Sequence, residues 1–206
     1  IAITLLTFQI SVSQNASAKI EMVESNWEIP EDAKFERFDN RKTLVLNSGR
    51  ATAKGQKFSN GTIEVDVYAN SVRSFAGITF RKQDENMEEV YMRLHKSNQV
   101  DAVQYTPIFN NESNWQLFRE YQARVSFKRT GWNTLRIDAN NNSAEVFVNG
   151  EKVLTIDNLR TDQKNGEIGL FALFTNRFSN FRVTPKDISE EMKNGNDSIE
   201  DKAIIT

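Results

Sequence analysis

Apolar residues recur at every second position in a series of short segments separated by turn residues, the pattern of half-buried β-strands. In 62–68 (TIEVDVY), Ile63, Val65 and Val67 point one way and Glu64, Asp66 and Tyr68 the other. The same reading predicts strands at 43–46, 75–81, 90–95, 115–118, 123–127, 132–138, 144–148, 152–156, 167–174 and 178–183. Asn60-Gly61 and Asn149-Gly150 mark tight turns, because both residue types tolerate positive φ. Residues 83–89 (QDENMEE) read as a polar hairpin connection, and 167–174 (EIGLFALF) as a central strand covered on both faces. No segment before Pro185 keeps helical spacing and no 20–50-residue repeat is visible, so the expectation is an all-β sandwich or barrel.

One strand departs from the rule that outer faces are bland. In 90–95 (VYMRLH), Val90, Met92 and Leu94 share the core side, while Tyr91, Arg93 and the only histidine, His95, share the other. Arg81 has the parity of Thr79 on the preceding strand, so a hairpin would add it to this row. The following loop supplies Asp101, Gln104 and Tyr105, and then Trp115. Rings that pack on pyranose C–H faces, beside groups that bond hydroxyls, are what a sugar needs. Covering ~100 Å² of ring contributes about 2.5 kcal/mol. Each residue also has a structural reading: Tyr91 as cross-strand cover, Arg93 paired with Glu64 or Asp66, His95 ending its strand, Trp115 in the core. Trp27 and Trp132 are expected to be structural.

Composition narrows the chemistry. A net charge of −2 disfavours a nucleic-acid partner. The absence of cysteine removes disulfides and thiolate zinc sites, and one histidine argues against a zinc enzyme. No serine-nucleophile motif or phosphate-binding glycine loop occurs. If the patch is catalytic, His95 oriented by Asp101 would be the base and Arg81 or Arg93 would stabilise an oxyanion. Asp84, Glu85, Asn86 and Glu88 form an oxygen-rich loop that suits calcium or merely water; no other cofactor is expected. Residues 1–18 read as the remnant of a secretory signal, with Ala16-Ser17-Ala18 as the cleavage pattern; a first β-strand is the alternative for 1–13, too short to span a membrane. That predicts a secreted or periplasmic protein with a domain over 19–185. Residues 186–206 read as an acidic tail or linker, with a fused domain expected beyond it.

Several motifs together carry a family resemblance: Phe58-Ser59-Asn60-Gly61-Thr62-Ile63-Glu64, Phe75-Ala76-Gly77-Ile78-Thr79-Phe80-Arg81, Tyr91-Met92-Arg93-Leu94-His95, Asp101-Ala102-Val103-Gln104-Tyr105-Thr106-Pro107, Gly166-Glu167-Ile168-Gly169-Leu170 and Phe178-Ser179-Asn180-Phe181. Over roughly 25–184 the chain resembles the concanavalin A-like superfamily, and most closely the secreted bacterial domains related to the 3-keto-disaccharide hydrolase group. The resemblance implies a jelly-roll sandwich of two antiparallel sheets. It also implies a carbohydrate partner, bound on the polar sheet face by a binding module, or transformed there by a glycoside or 3-keto-glycoside hydrolase or lyase. A laminin G-like adhesion module working through loops is the third expectation. The paired glutamates of the glucanase branch are not evident; Glu88-Glu89 come nearest, but neighbouring residues face opposite ways.

Overall fold

The computed structural model describes residues 16–186. The predicted signal remnant therefore lies outside the described residues up to position 15, and the acidic tail does so from 187 onward. Fourteen strands are described: β1 (Ala18–Ile20), β2 (Trp27–Glu28), β3 (Lys34–Phe38), β4 (Arg41–Phe58), β5 (Gly61–Asn70), β6 (Phe75–Gln83), β7 (Asn86–Arg93), β8 (Val103–Phe109), β9 (Glu112–Ser113), β10 (Gln122–Ala123), β11 (Thr130–Asn140), β12 (Ser143–Val148), β13 (Glu151–Ile156) and β14 (Gly166–Pro185). All pairings are antiparallel, and the sheet curls on itself into a jelly-roll sandwich. No helix among the described residues is long and apolar enough to cross a membrane.

Two strands belong to both layers. The first half of β14 lies between β6 and the second half of β4; its second half lies between β5 and the first half of β4. The passage between layers falls where the register shifts between Leu173 and Asn176, and there Phe174 takes φ +65. The Asn176 amide fixes the bend by donating to the carbonyls of Phe75 (2.9 Å) and Phe174 (2.8 Å). One layer thus reads β10-β8-β7-β6-β14-β4, the other β13-β12-β11-β5-β14-β4.

The layers differ in how their outer faces are covered. In β5, β11 and β12, buried residues alternate with half-exposed ones, as the sequence predicts. In β6, β7 and β8 nearly every residue is buried, on both faces. Their inner face is apolar: Ile78, Val90, Met92 and Val103 are fully buried. Their outer face is polar, and burial of polar groups requires partners.

Local departures from expectation have clear causes. The predicted strand 115–118 is a pair of 3-10 turns, Trp115–Leu117 and Arg119–Tyr121, because the chain leaves the sheet after β9. Of the predicted 123–127 strand only Ala123 pairs with β8, together with Gln122 before it. The polar connection predicted at 83–89 is shorter: β6 and β7 continue through it, so Glu88 and Glu89 are strand residues. Trp27 is a core residue, edge-on to Phe181 at 5.1 Å. Trp132 packs on Tyr68 under the Arg41 guanidinium.

Candidate functional site

Strand register assembles the site. Arg50 on β4, Phe171 on β14, Gly77 on β6, Tyr91 on β7 and Gln104 on β8 form one cross-strand row on the outer face. Leu173, Phe75 and Arg93 form the next row on one side; Gly169, Thr79 and Glu89 form that on the other. Gly77 puts no side chain between its neighbours, so the Tyr91 and Phe171 rings meet over it with centroids 5.7 Å apart. The loop after β7 and the turn after β9 raise walls at the end of these rows. The result is a cleft of about 410 Å³, within the range of small-molecule sites.

Arg93 organises the floor. It is 3% exposed. Its guanidinium donates to the Asp101 carbonyl (2.6 Å), the Tyr91 hydroxyl (3.0 Å) and Gln104 Oε1 (3.5 Å). It also lies between the Tyr91 and Trp115 rings, 5.1 and 5.2 Å from their centroids. Tyr91 is nearly as buried, and burial pushes its phenol well above the usual value despite the Arg93 charge. These two residues build the cleft and offer little surface to a ligand. The accessible surface comes from Trp115, Phe171, Arg50, His95, Lys96 and Asp101.

Two carboxyls in the cleft are driven in opposite directions. Glu89 is fully buried, and desolvation raises its carboxyl above the usual range, against the opposing pull of Arg50. Arg50 Nη2 and Nε both donate to Glu89 Oε2, at 2.7 and 3.1 Å. Burial also pushes Asp101 up, but the bond from Lys96 Nζ (2.5 Å) and the charges of Arg93 and Lys96 outweigh it and hold it below the usual value.

His95 does not pair with Asp101, contrary to the expected arrangement; Asp101 is taken by Lys96 and Arg93. Instead His95 Nδ1 lies 3.1 Å from the Ser74 carbonyl oxygen and 3.4 Å from the Ser74 amide. The shorter contact assigns the proton to Nδ1, donated to the carbonyl, and leaves Nε2 unprotonated. Desolvation lowers the imidazole pKa below 6.5, the Ser74 bond opposes this, and the charges of Arg73, Lys96 and Arg93 add to the lowering. The ring stands edge-on to Phe75 at 5.1 Å. At neutral pH the cleft therefore holds a neutral imidazole whose Nε2 has no partner among the described residues.

Of the eight residues singled out from the sequence, Tyr91, Arg93, His95, Asp101 and Trp115 line this cleft. Gln104 supports it from below, bonded to Arg93, Gln122 and the Phe118 carbonyl. Arg81 and Tyr105 lie elsewhere. A bulge between Phe80 and Gln83 breaks the alternation, and Arg81, at φ +54, turns away to donate to the Ser59 carbonyl and Asn60. Tyr105 faces the core, where its hydroxyl donates to Glu88 (2.6 Å) and accepts from the Arg160 amide (2.9 Å). Removing that hydroxyl strands both partners, so Tyr105→Phe is expected to cost about 1–3 kcal/mol in urea unfolding, with the cleft intact.

The oxygens read as calcium ligands do not converge. Glu88 points inward to Tyr105 and Thr161, while Asp84 and Glu85 stand exposed on the turn. Among the described residues no three of His, Asp or Glu stand close enough to share a metal ion. The sequence reading missed Glu89, Arg50 and Phe171. Glu89 shares the parity of Tyr91 and Arg93, a signal hidden by assigning it to the connection; Arg50 sits in a polar run that carries no strand pattern. A larger depression of about 660 Å³ over β11 and β12 is lined by no aromatic side chain. Its Asp138 and Glu145 are already bonded, to Thr62 and Arg136 and to Lys152.

Residues 22–184 match the pattern of the 3-keto-alpha-glucoside-1,2-lyase-like domain. The chain belongs to this family. No curated protein sequence matches it. The chain has the fold of several solved structures. The carbohydrate-binding module CBM66 from Bacillus subtilis is 12% identical, with a TM-score of 0.57 over 82% of this chain and 95% of that one. The Bacillus licheniformis β-glucanase is 14% identical, with a TM-score of 0.59 over 83% and 98%. A glycosyl hydrolase-like protein from Parabacteroides distasonis is 12% identical, with a TM-score of 0.54 over 79% and 90%. At these identities the likeness is one of fold.

Proposed function

We propose that the cleft binds a glucoside, its ring resting on Trp115 and Phe171 and its hydroxyls bonded by Arg50, Lys96, Asp101 and His95. The observation that carries this reading is the meeting of half-exposed aromatic faces and unlike polar groups in one cleft, on the sheet face that the register assembles. The family match, and a carbohydrate-binding module and a β-glucanase among the structural neighbours, support it. Titration calorimetry with methyl α-glucoside and its 3-keto form tests it. Trp115 is 37% exposed, so Trp115→Ala is expected to fold normally and to weaken binding roughly tenfold. Unchanged affinity in that variant would remove Trp115 from the binding surface.

His95 favours a second reading, in which the bound sugar also reacts. The family name specifies elimination across C1 and C2 of a 3-keto-α-glucoside. The proton on C2 is acidified by the neighbouring ketone, and Nε2 of neutral His95 is the base that takes it. The electron pair left on C2 becomes the enolate, which collapses to expel the C1 oxygen; that oxygen gains a proton, and a C1–C2 alkene remains. The positive charges of Arg73, Lys96 and Arg93, which already disfavour imidazolium, favour the enolate. His95→Ala is expected to lower turnover of a 3-keto-α-glucoside by at least 10²-fold while binding persists. Because the imidazole pKa is lowered, the wild-type rate should stay high down to pH 6.5 and fall only below it. Full turnover by the alanine variant would leave recognition as the whole function.

A further inference from the structure

Phe174 joins three properties at the mouth of the cleft. Its backbone is held at φ +65, unfavourable for a bulky residue. Its side chain is 44% exposed. Its ring lies 6.3 Å from that of Phe75, tilted by 34°, and Phe75 is the residue against which His95 stands. The Arg73 guanidinium covers both rings, 5.8 and 5.5 Å from their centroids. Leu173, 41% exposed, continues the apolar surface into the cleft. Core packing does not account for an aromatic ring exposed here on a strained backbone that the Asn176 amide clamps in place.

The chemistry of this mouth differs from that of the cleft. Leu173, Phe75 and Phe174 offer nothing to a hydroxyl, and Arg73 only donates. A second sugar ring docked here could bond only Arg73 and would surrender most of its hydration without replacement. A planar aromatic group would keep the phenylalanine contacts and lie beneath a cation. His95 stands at the boundary, so a glycoside spanning it puts its sugar towards Trp115 and Arg50 and its aglycone towards Leu173 and Phe174.

We propose that Phe75, Arg73, Leu173 and Phe174 form an aglycone subsite, and that the preferred ligands are aryl glucosides. This rests on the sugar-cleft reading above. The test is calorimetry of the wild type, Phe174→Ala and Phe174→Asn with methyl α-glucoside, phenyl α-glucoside and maltose. Asparagine tolerates positive φ, so the second variant keeps the bend. In the wild type, phenyl α-glucoside should bind about tenfold more tightly than methyl α-glucoside or maltose. Both variants should lose most of that advantage with methyl α-glucoside affinity unchanged. Equal affinity for the phenyl and methyl glucosides in the wild type, or tighter binding of maltose, overturns the subsite and leaves the sugar cleft standing. Binding of none of the three overturns both.

Discussion

Replacing Arg50 by alanine should lower stability by about 3 kcal/mol at neutral pH and by much less near pH 4.5. Arg50 is the charged partner of Glu89, whose side chain is 1% exposed. Without the guanidinium, a carboxylate remains in a site that water barely reaches, a larger loss than the pair itself contributes. The sign of the pH dependence follows from the direction of the shift. Burial holds the folded-state pKa of Glu89 above its ordinary value of 4.5, and Arg50 opposes that rise. Losing Arg50 raises it further. Below the unfolded-state value the carboxyl is protonated in both states and costs little; as pH climbs towards the folded-state value, the unfolded chain alone releases its proton and stability falls. Urea unfolding of both proteins at pH 4.5 and 7.5 measures this. An equal penalty at the two pH values would contradict it. Arg50→Met combined with Glu89→Met should recover most of the loss, because no charge is then left stranded.

Gly77→Ala should cost about 3 kcal/mol, lower Tm by roughly 6–12 °C and abolish ligand binding. A Cβ at this position would fall 2.3 Å from the Val90 carbonyl oxygen, 2.6 Å from Tyr91 Cβ and 2.8 Å from Tyr91 Cα. Two of these atoms are backbone, so no rotamer change relieves the clash; β7 must move away from β6. Tyr91 moves with it, and Arg93 loses a ring and a hydroxyl that it contacts. Thermal unfolding and calorimetry read the two effects separately. Retained Tm and retained binding would contradict this.

The fold was legible where burial is one-sided. In β5, β11 and β12 the period of two is clean, because one face meets the core and the other meets water. Beyond the predicted 43–46 segment it was illegible in β4, whose polar run from Asn47 to Gln56 carries no alternation; that part of the strand is defined by pairing with β14, information held in β14. The site was half legible for the same reason. Tyr91, Arg93 and His95 announce themselves as unusual side chains on an outer face. Arg81 was misassigned because parity holds only while the ladder is regular, and the bulge after Phe80 inverts it. Arg50 and Phe171 enter the cleft through register between strands distant in sequence, which no local pattern encodes.

The shared strand has a consequence for how the molecule is made. β14 supplies a neighbour to β4, β5 and β6 at once, and it is the last strand to be synthesised among those described. Until the ribosome has delivered it, these three strands and β1 each present an unpaired edge, the kind of template on which nascent chains stick to one another. Neither layer can close early and wait for the other. Acquisition of structure is therefore expected to be late and concerted, with chaperone dependence concentrated in the interval before Gly166–Pro185 becomes available.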